Sequence, residues 1–198
     1  MRRQLLTGLL MTIALTVLLG VVYPLAVTGA SELLFNHNAN GSLVKDKAGA
    51  IVGSSLIGQQ FVDANGNPDA RYFQPRPSDS IGTPYNANGS AASNLGPSNP
   101  KLLAAVEANA KAYRAFNGLR AGDAVPVDAV TASGSGLDPD ISPANAALQA
   151  ARVAKARGLT LAQVIDIVHQ HTSDRALGFI GEPVVNVLDV NLALDKLG

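Results

Sequence analysis

The sequence predicts a mixed α+β domain with a small sheet, carried behind a single N-terminal transmembrane helix. Three observations lead there. Leu5 to Val27 contains no charged residue, and the uncharged run continues to Ser31. Downstream, short β-branched apolar runs are interspersed with helix-period segments that carry their own caps, the pattern of helices packed on a modest sheet. The chain has no cysteine and no internal repeat, so neither disulfides nor thiolate metal sites nor a solenoid can organise it.

The apolar run comes first. Its 23 residues extend about 35 Å as a helix, against a hydrocarbon core of about 30 Å. A crossing segment must satisfy its own backbone groups, as a helix does. Arg2 and Arg3 precede it and hold that end in the cytoplasm. This predicts a cytoplasmic N-terminus over 1–4, a transmembrane helix over 5–28, an exit helix and linker over 29–50, and an extracytoplasmic domain over 51–198. The chain then spans a membrane once, with its bulk on the outer side. A cleaved signal peptide is the alternative, with Thr28-Gly29-Ala30 as cleavage site, but signal cores hold only about 7–15 apolar residues. Gly8, Thr12, Thr16 and Gly20 recur four apart, a small-residue stripe that lets another membrane helix approach closely. Pro24 near the outer end is tolerated and kinks the exit.

The 168 residues from Ser31 onward suffice for one ordinary domain. They hold 13 basic and 15 acidic residues, a balance that gives no electrostatic footprint for nucleic acid. Tryptophan is absent and aromatics make up 5%, so stacking platforms are poorly supplied.

In order, Ser31–Phe35 prolongs the first helix and a polar loop, Asn36–Gly41, ends it. Ala50–Ile57 reads as a strand bounded by glycines. Residues 63–100 are rich in Asn, Gly, Ser and Pro yet carry aromatic and arginine anchors, which marks a long structured loop rather than a linker. Asn99-Pro100 is a cap followed by a first-turn proline, opening a helix that Gly118 closes. Val125–Thr131 reads as a strand and Ala132–Pro139 as a tight turn. Ser142-Pro143 opens a helix to about Ala156, closed by Gly158. Thr160 and Gln163 form a capping box for a helix through His169 with an apolar side of Leu161, Val164, Ile165 and Val168. Val184–Leu188 is a late strand, and Val190–Leu197 a short closing helix.

No catalytic constellation assembles. Gly134-Ser135-Gly136 lacks the Gly-Lys-Ser/Thr of a phosphate loop, and Pro139 breaks G-x-G-x-x-G, so it reads as a turn. There is no G-x-S-x-G elbow. His169 and His171, two apart, would point to different sides of a helix and make a poor metal pair. Asp138 and Asp140 flank a proline, as turn formers do. Neither catalytic nor metal-ligating residues are predicted, and no cofactor motif is recognisable. Arg152, Arg157 and Arg175 are candidate bidentate partner contacts.

The loop motifs say more. Tyr72–Ser78 (YFQPRPS), Tyr85-Asn86, Ser93–Pro100 (SNLGPSNP), Val125–Asp128, Thr131–Pro143 (TASGSGLDPDISP), Arg152–Arg157, Gly181–Val187 (GEPVVNV) and Asn191–Asp195 closely resemble the KdpC family. That family supplies the C subunit of the bacterial Kdp potassium-transporting P-type ATPase. The resemblance covers nearly the whole chain in order, with residues 36–50 and 63–70 as variable linkers. It implies an accessory subunit without hydrolytic activity, partnered in the membrane by a potassium-channel-like subunit and a P-type ATPase subunit. ATP and potassium then belong to the complex. It also implies a role in assembling and stabilising the complex and, as a catalytic chaperone, in raising the nucleotide affinity of the ATPase subunit. With the bulk of the chain outside and ATP inside, such an effect is expected to be conformational. The candidate partner interface is the 72–99 loop and the 131–139 turn, with two arginines beyond them: Tyr72, Phe73, Arg76, Tyr85, Asn86, Ser93, Asn94, Asn99, Ser133, Ser135, Asp138, Arg152 and Arg175. An anchored envelope enzyme or solute-binding module is the alternative; the latter requires a sizeable lined pocket.

Overall fold

In a computed structural model, which describes residues 1–197, helical backbone runs unbroken from Arg2 to Leu34. It comprises α1 (Arg2–Val17), a wide π turn over Leu18–Val22 and α2 (Tyr23–Leu34). Pro24 explains the π turn. It has no N–H to donate, and its ring crowds the carbonyl one turn back, at residue 20. The Tyr23 N–H accordingly reaches back five residues to the Leu18 carbonyl. Upstream of the proline the helix thus widens locally. At 33 residues the helix is long and apolar enough to cross a membrane. The polar loop predicted at Asn36–Gly41 begins instead as one further helical turn, α3 (Asn36–Ala39). The amides of Asn36 and Asn40 both donate to the Glu32 carboxylate and hold that turn.

The chain divides into two units, Met1–Leu43 and Val44 onward. β1 (Leu43–Lys45) and β2 (Ile51–Ser54) form a two-stranded sheet. The Asp46 carboxylate caps their turn by accepting from the amides of Ala48 and Ala50. From residue 55 to 99 the described backbone forms no helix or multi-residue strand, only bridges such as Val62 to Pro68.

α4 (Pro100–Asn117) starts as predicted, with Asn99 accepting from the Lys101 amide, and ends at left-handed Gly118. The strand predicted over Val125–Thr131 is instead a 3₁₀ turn at Val127–Ala129. Pro126 lacks a ladder donor, and Asp128 is drawn inward. Its carboxylate accepts from the Ser142 amide at 2.8 Å, the Ser142 hydroxyl at 2.9 Å and the Asn145 side-chain amide at 2.9 Å. There it supports the start of α5 (Pro143–Arg157), whose cap is Ser142 and whose end is left-handed Gly158. The capping box of α6 (Leu161–Gln170) forms as predicted.

The main sheet has three antiparallel strands, β3 (Asp140–Ile141), β4 (Thr172–Ser173) and β5 (Val184–Asn186), in the order β3-β5-β4. Ile141 and Thr172 both register on Val185. β5 stops at Asn186, earlier than the predicted Leu188, because the Asn186 side chain accepts from the Asp189 amide and caps α7 (Val187–Asp195). The core lies between this sheet and α5–α7: Ile141, Val153, Val164, Val185, Val190 and Leu194, with Phe73 delivered from the long loop. Ala146, Ala150 and Ala154 give α5 a small buried face. Each fully buried large apolar side chain contributes about 1.5–3 kcal/mol.

Candidate functional site

The long loop is irregular because its hydrogen bonds go to side chains. Buried polar backbone must be paired, and two buried amides do this for Phe73 and Gln74. Asn191 of α7 accepts from the Phe73 N–H at 2.8 Å and donates to its carbonyl at 3.0 Å. Gln149 of α5 treats Gln74 the same way, at 2.8 and 3.0 Å. Each amide imitates a neighbouring β-strand. Phe73 is thereby set wholly into the core.

Two arginines clamp the same stretch. Arg152 donates to the carbonyls of Ala70 and Tyr72, to Gln149 and to Asn117, and stacks 4.3 Å over Phe116. Burial lowers its pKa to about 10, still cationic at neutral pH. Arg157 donates to the Arg71 carbonyl and to Asp195, and lies 4.7 Å over the Tyr72 ring. Tyr72 in turn stacks on Phe61 and donates to Asp195.

Further along, the loop is fixed to the 131–139 turn. Arg76 Nη1 pairs with Asp138 at 2.8 Å, and Nη2 reaches the carbonyls of Thr131 and Ala132. The Tyr85 hydroxyl donates to the Arg76 carbonyl at 2.6 Å. Burial, and the nearby Asp138 charge, push that phenol well above its ordinary pKa, so it stays a donor throughout the physiological range. The Ser78 hydroxyl donates to the Gly136 carbonyl at 2.7 Å, and the Ala91 amide to the Ser135 carbonyl at 3.0 Å. Ser133 accepts from the Gly136 amide and Ser135 from the Leu137 amide, which shapes the turn. Gly136 is obligatory: its φ is +69°, and a Cβ would lie 2.8 Å from both the Ala91 carbonyl oxygen and the Ser80 nitrogen.

Arg76, Tyr85, Ser135 and Asp138 are therefore brought together where the loop meets the turn, with Ser133 buried beneath them. Asn86 closes a local turn onto the Ile81 carbonyl, Asn99 caps α4, and Ser93 and Asn94 stand exposed on the rim. Phe73 and Arg152 serve the interior and its clamp rather than this surface. Arg175 stands apart on the β4–β5 connection, paired with Glu182. In the N-terminal helix Gly8 and Gly20 have open space beside them, and the Thr12 hydroxyl folds back onto the Gly8 carbonyl, leaving Gly8, Thr12, Thr16 and Gly20 an unobstructed stripe. A cleft of about 660 Å³ runs beside Arg76 and Tyr85, walled by Tyr113 and Phe116 of α4. Among the described residues no cluster of His, Asp or Glu could hold a metal ion.

An apolar helix of membrane-crossing length, joined to a unit whose motif-rich loop is built as a fixed surface, is the plan of a membrane-associated accessory subunit. The family model described as "K+-transporting ATPase, c chain" matches residues 5–196. A Mycobacterium tuberculosis protein named potassium-transporting ATPase KdpC subunit is 55% identical over 197 residues, covering 100% of both chains. Proteins of the same name from Rhodospirillum rubrum and Methylococcus capsulatus are 53% and 54% identical, covering 99% and 96% of this chain and 97% and 96% of theirs. The chain belongs to the KdpC family, the c chain of K+-transporting ATPases.

Proposed function

We propose that this chain is the single-span subunit that assembles and stabilises an ATP-driven potassium import complex in the cell inner membrane. In this reading α1 and α2 cross the bilayer with Arg2 and Arg3 inside, and the unit from Val44 lies outside. Its partners are the potassium-channel-like subunit, through the Gly8–Gly20 stripe and the loop surface, and the P-type ATPase subunit. Its effect on ATP affinity is transmitted by conformation, and the hydrolysis belongs to the partner. The observation that carries the reading is the bolting of the 72–99 loop to the 131–139 turn through Arg76 and Asp138. A loop of that length held by side chains of distant segments is built to present a surface.

The test uses Gly8→Leu, which blocks the helix stripe, and Ser93→Arg, which adds bulk and charge on the exposed rim. Each is expected to reduce co-purification with the two larger subunits, and potassium-dependent ATPase activity with it, while the chain itself stays folded. Unchanged co-purification for both refutes the assignment of these surfaces. Photo-cross-linking of an ATP analogue to the unit beyond Val44 in sealed, oriented vesicles overturns the conformational route.

A further inference from the structure

The connection between β4 and β5 has no role in the surface described above. It crosses from Asp174 to Pro183 and is itself hydrogen-bonded. Ala176 and Ile180 exchange backbone hydrogen bonds, both 2.9 Å, and the Gly178 amide donates to the Arg175 carbonyl. The Arg175–Glu182 ion pair closes the base. This fixed tip displays Leu177, Phe179 and Ile180 at 83%, 72% and 52% exposure. Leu177 has a φ of +53°, a conformation leucine rarely adopts. Large apolar side chains held out in a strained, ordered turn mark a contact made with something else.

What that something is follows from where the hairpin is rooted. His171 immediately precedes β4 and lines a cleft of about 510 Å³ together with Val44, Lys45, Lys47 and Lys196. Val44 is the first residue of the C-terminal unit, and α2 ends at Leu34, so nine residues form the tether, at most about 30 Å long. The strand that leads into the hairpin therefore starts beside the cleft lined by the first residues of the C-terminal unit. Three carboxylates line that cleft beside the lysines: Asp46 is held by its turn amides, Asp195 by Arg157 and Tyr72, and Asp189 is the third. The lysines are exposed, and long ammonium side chains suit the headgroup level of a bilayer.

We propose that the Leu177–Phe179–Ile180 tip is a membrane-interface anchor, seated in the lipid surface from which the tether emerges. It enters the boundary of headgroups and acyl chains to a depth of about 5–10 Å. The proposal rests on the reading that the N-terminal helix crosses a bilayer.

The chain has no tryptophan, so Phe179→Trp and Ile180→Trp each install a sole indole at the tip. Leu103→Trp, on the exposed side of α4, is the reference. The full chain is reconstituted in phosphatidylethanolamine–phosphatidylglycerol vesicles carrying a lipid brominated high on its acyl chain. Both tip variants should emit at shorter wavelength than the reference and be quenched about twofold or more by the bromolipid, as interfacial burial requires. If the chain floats with the vesicles while both tip indoles remain as open to acrylamide as the reference, lipid contact is overturned and the tip belongs to a protein partner. If the chain fails to float, the spanning helix itself is refuted, and the anchor with it.

Discussion

Asn191 is the residue whose loss should travel furthest. Its side chain is fully buried and satisfies both the N–H and the carbonyl of Phe73. Asn191→Ala leaves two buried backbone groups without partners, each costing about 1–3 kcal/mol. The sum, on the order of 2–6 kcal/mol, is a large share of the 5–15 kcal/mol that stabilises a typical domain. Nothing about Asn191 is exposed, so the change reaches the candidate surface only by releasing Phe73 and the loop that follows. Two measurements on the full chain in detergent check this: the urea midpoint, and hydrogen exchange at the Phe73 and Gln74 amides. Asn191→Asp separates the two bonds. It keeps the acceptor for the Phe73 amide but gives up the donor and buries a carboxylate, which protonation relieves. Its deficit should shrink toward acid pH, whereas that of Asn191→Ala should not. A loss below about 0.5 kcal/mol for Asn191→Ala, the size of an ordinary surface change, with exchange at Phe73 unaltered, refutes the reasoning.

Gly136→Ala should detach the turn from the loop, because the strain at positive φ and the two 2.8 Å contacts must both be relieved; a loss of at least about 1 kcal/mol in chemical denaturation is expected, and a neutral result refutes the close packing. Asp140 has its pKa raised by burial and by neighbouring Asp138. The folded state therefore holds its proton more tightly than the unfolded chain, and this group's contribution to stability falls as pH rises through the carboxylate range. Asp140→Asn should remove that contribution, so that wild type gains stability relative to the variant as pH is lowered toward 4, the ordinary carboxylate range.

Features written within a few residues were legible in the sequence. Asn99-Pro100, Ser142-Pro143 and the Thr160–Gln163 box set three helix starts, because a cap and the amide it satisfies are near neighbours. β3 and β4 were not legible: two-residue strands have no periodicity to read, and only pairing with β5 defines them. Val125–Thr131 misled for a related reason. Its apolar content suits a strand, but the site of Asp128 is decided by the start of a helix 14 residues on. The amides that hold the loop were hidden differently. Gln149 and Asn191 are polar residues in helices, and their partners lie 75 and 118 residues away. A hint exists in that each interrupts a run of apolar or small residues. The motifs around Arg76 and Asp138 were readable as family marks before their contact was known; the ion pair between them required the fold.

The π turn at Leu18–Val22 bears on the small-residue stripe. In an α-helix a step of four residues overshoots a revolution by about 40°, so Gly8, Thr12 and Thr16 drift around the helix. Gly20 falls inside the wider turn, where a revolution takes more than four residues and the same step no longer overshoots. Pro24, by forcing that widening, straightens the far end of the stripe from a spiral into a track. A neighbouring helix meets the usual drift from Gly8 to Thr16, and only the last step, to Gly20, loses its overshoot. One proline, placed beyond the last glycine, thus changes the path of the stripe at that end.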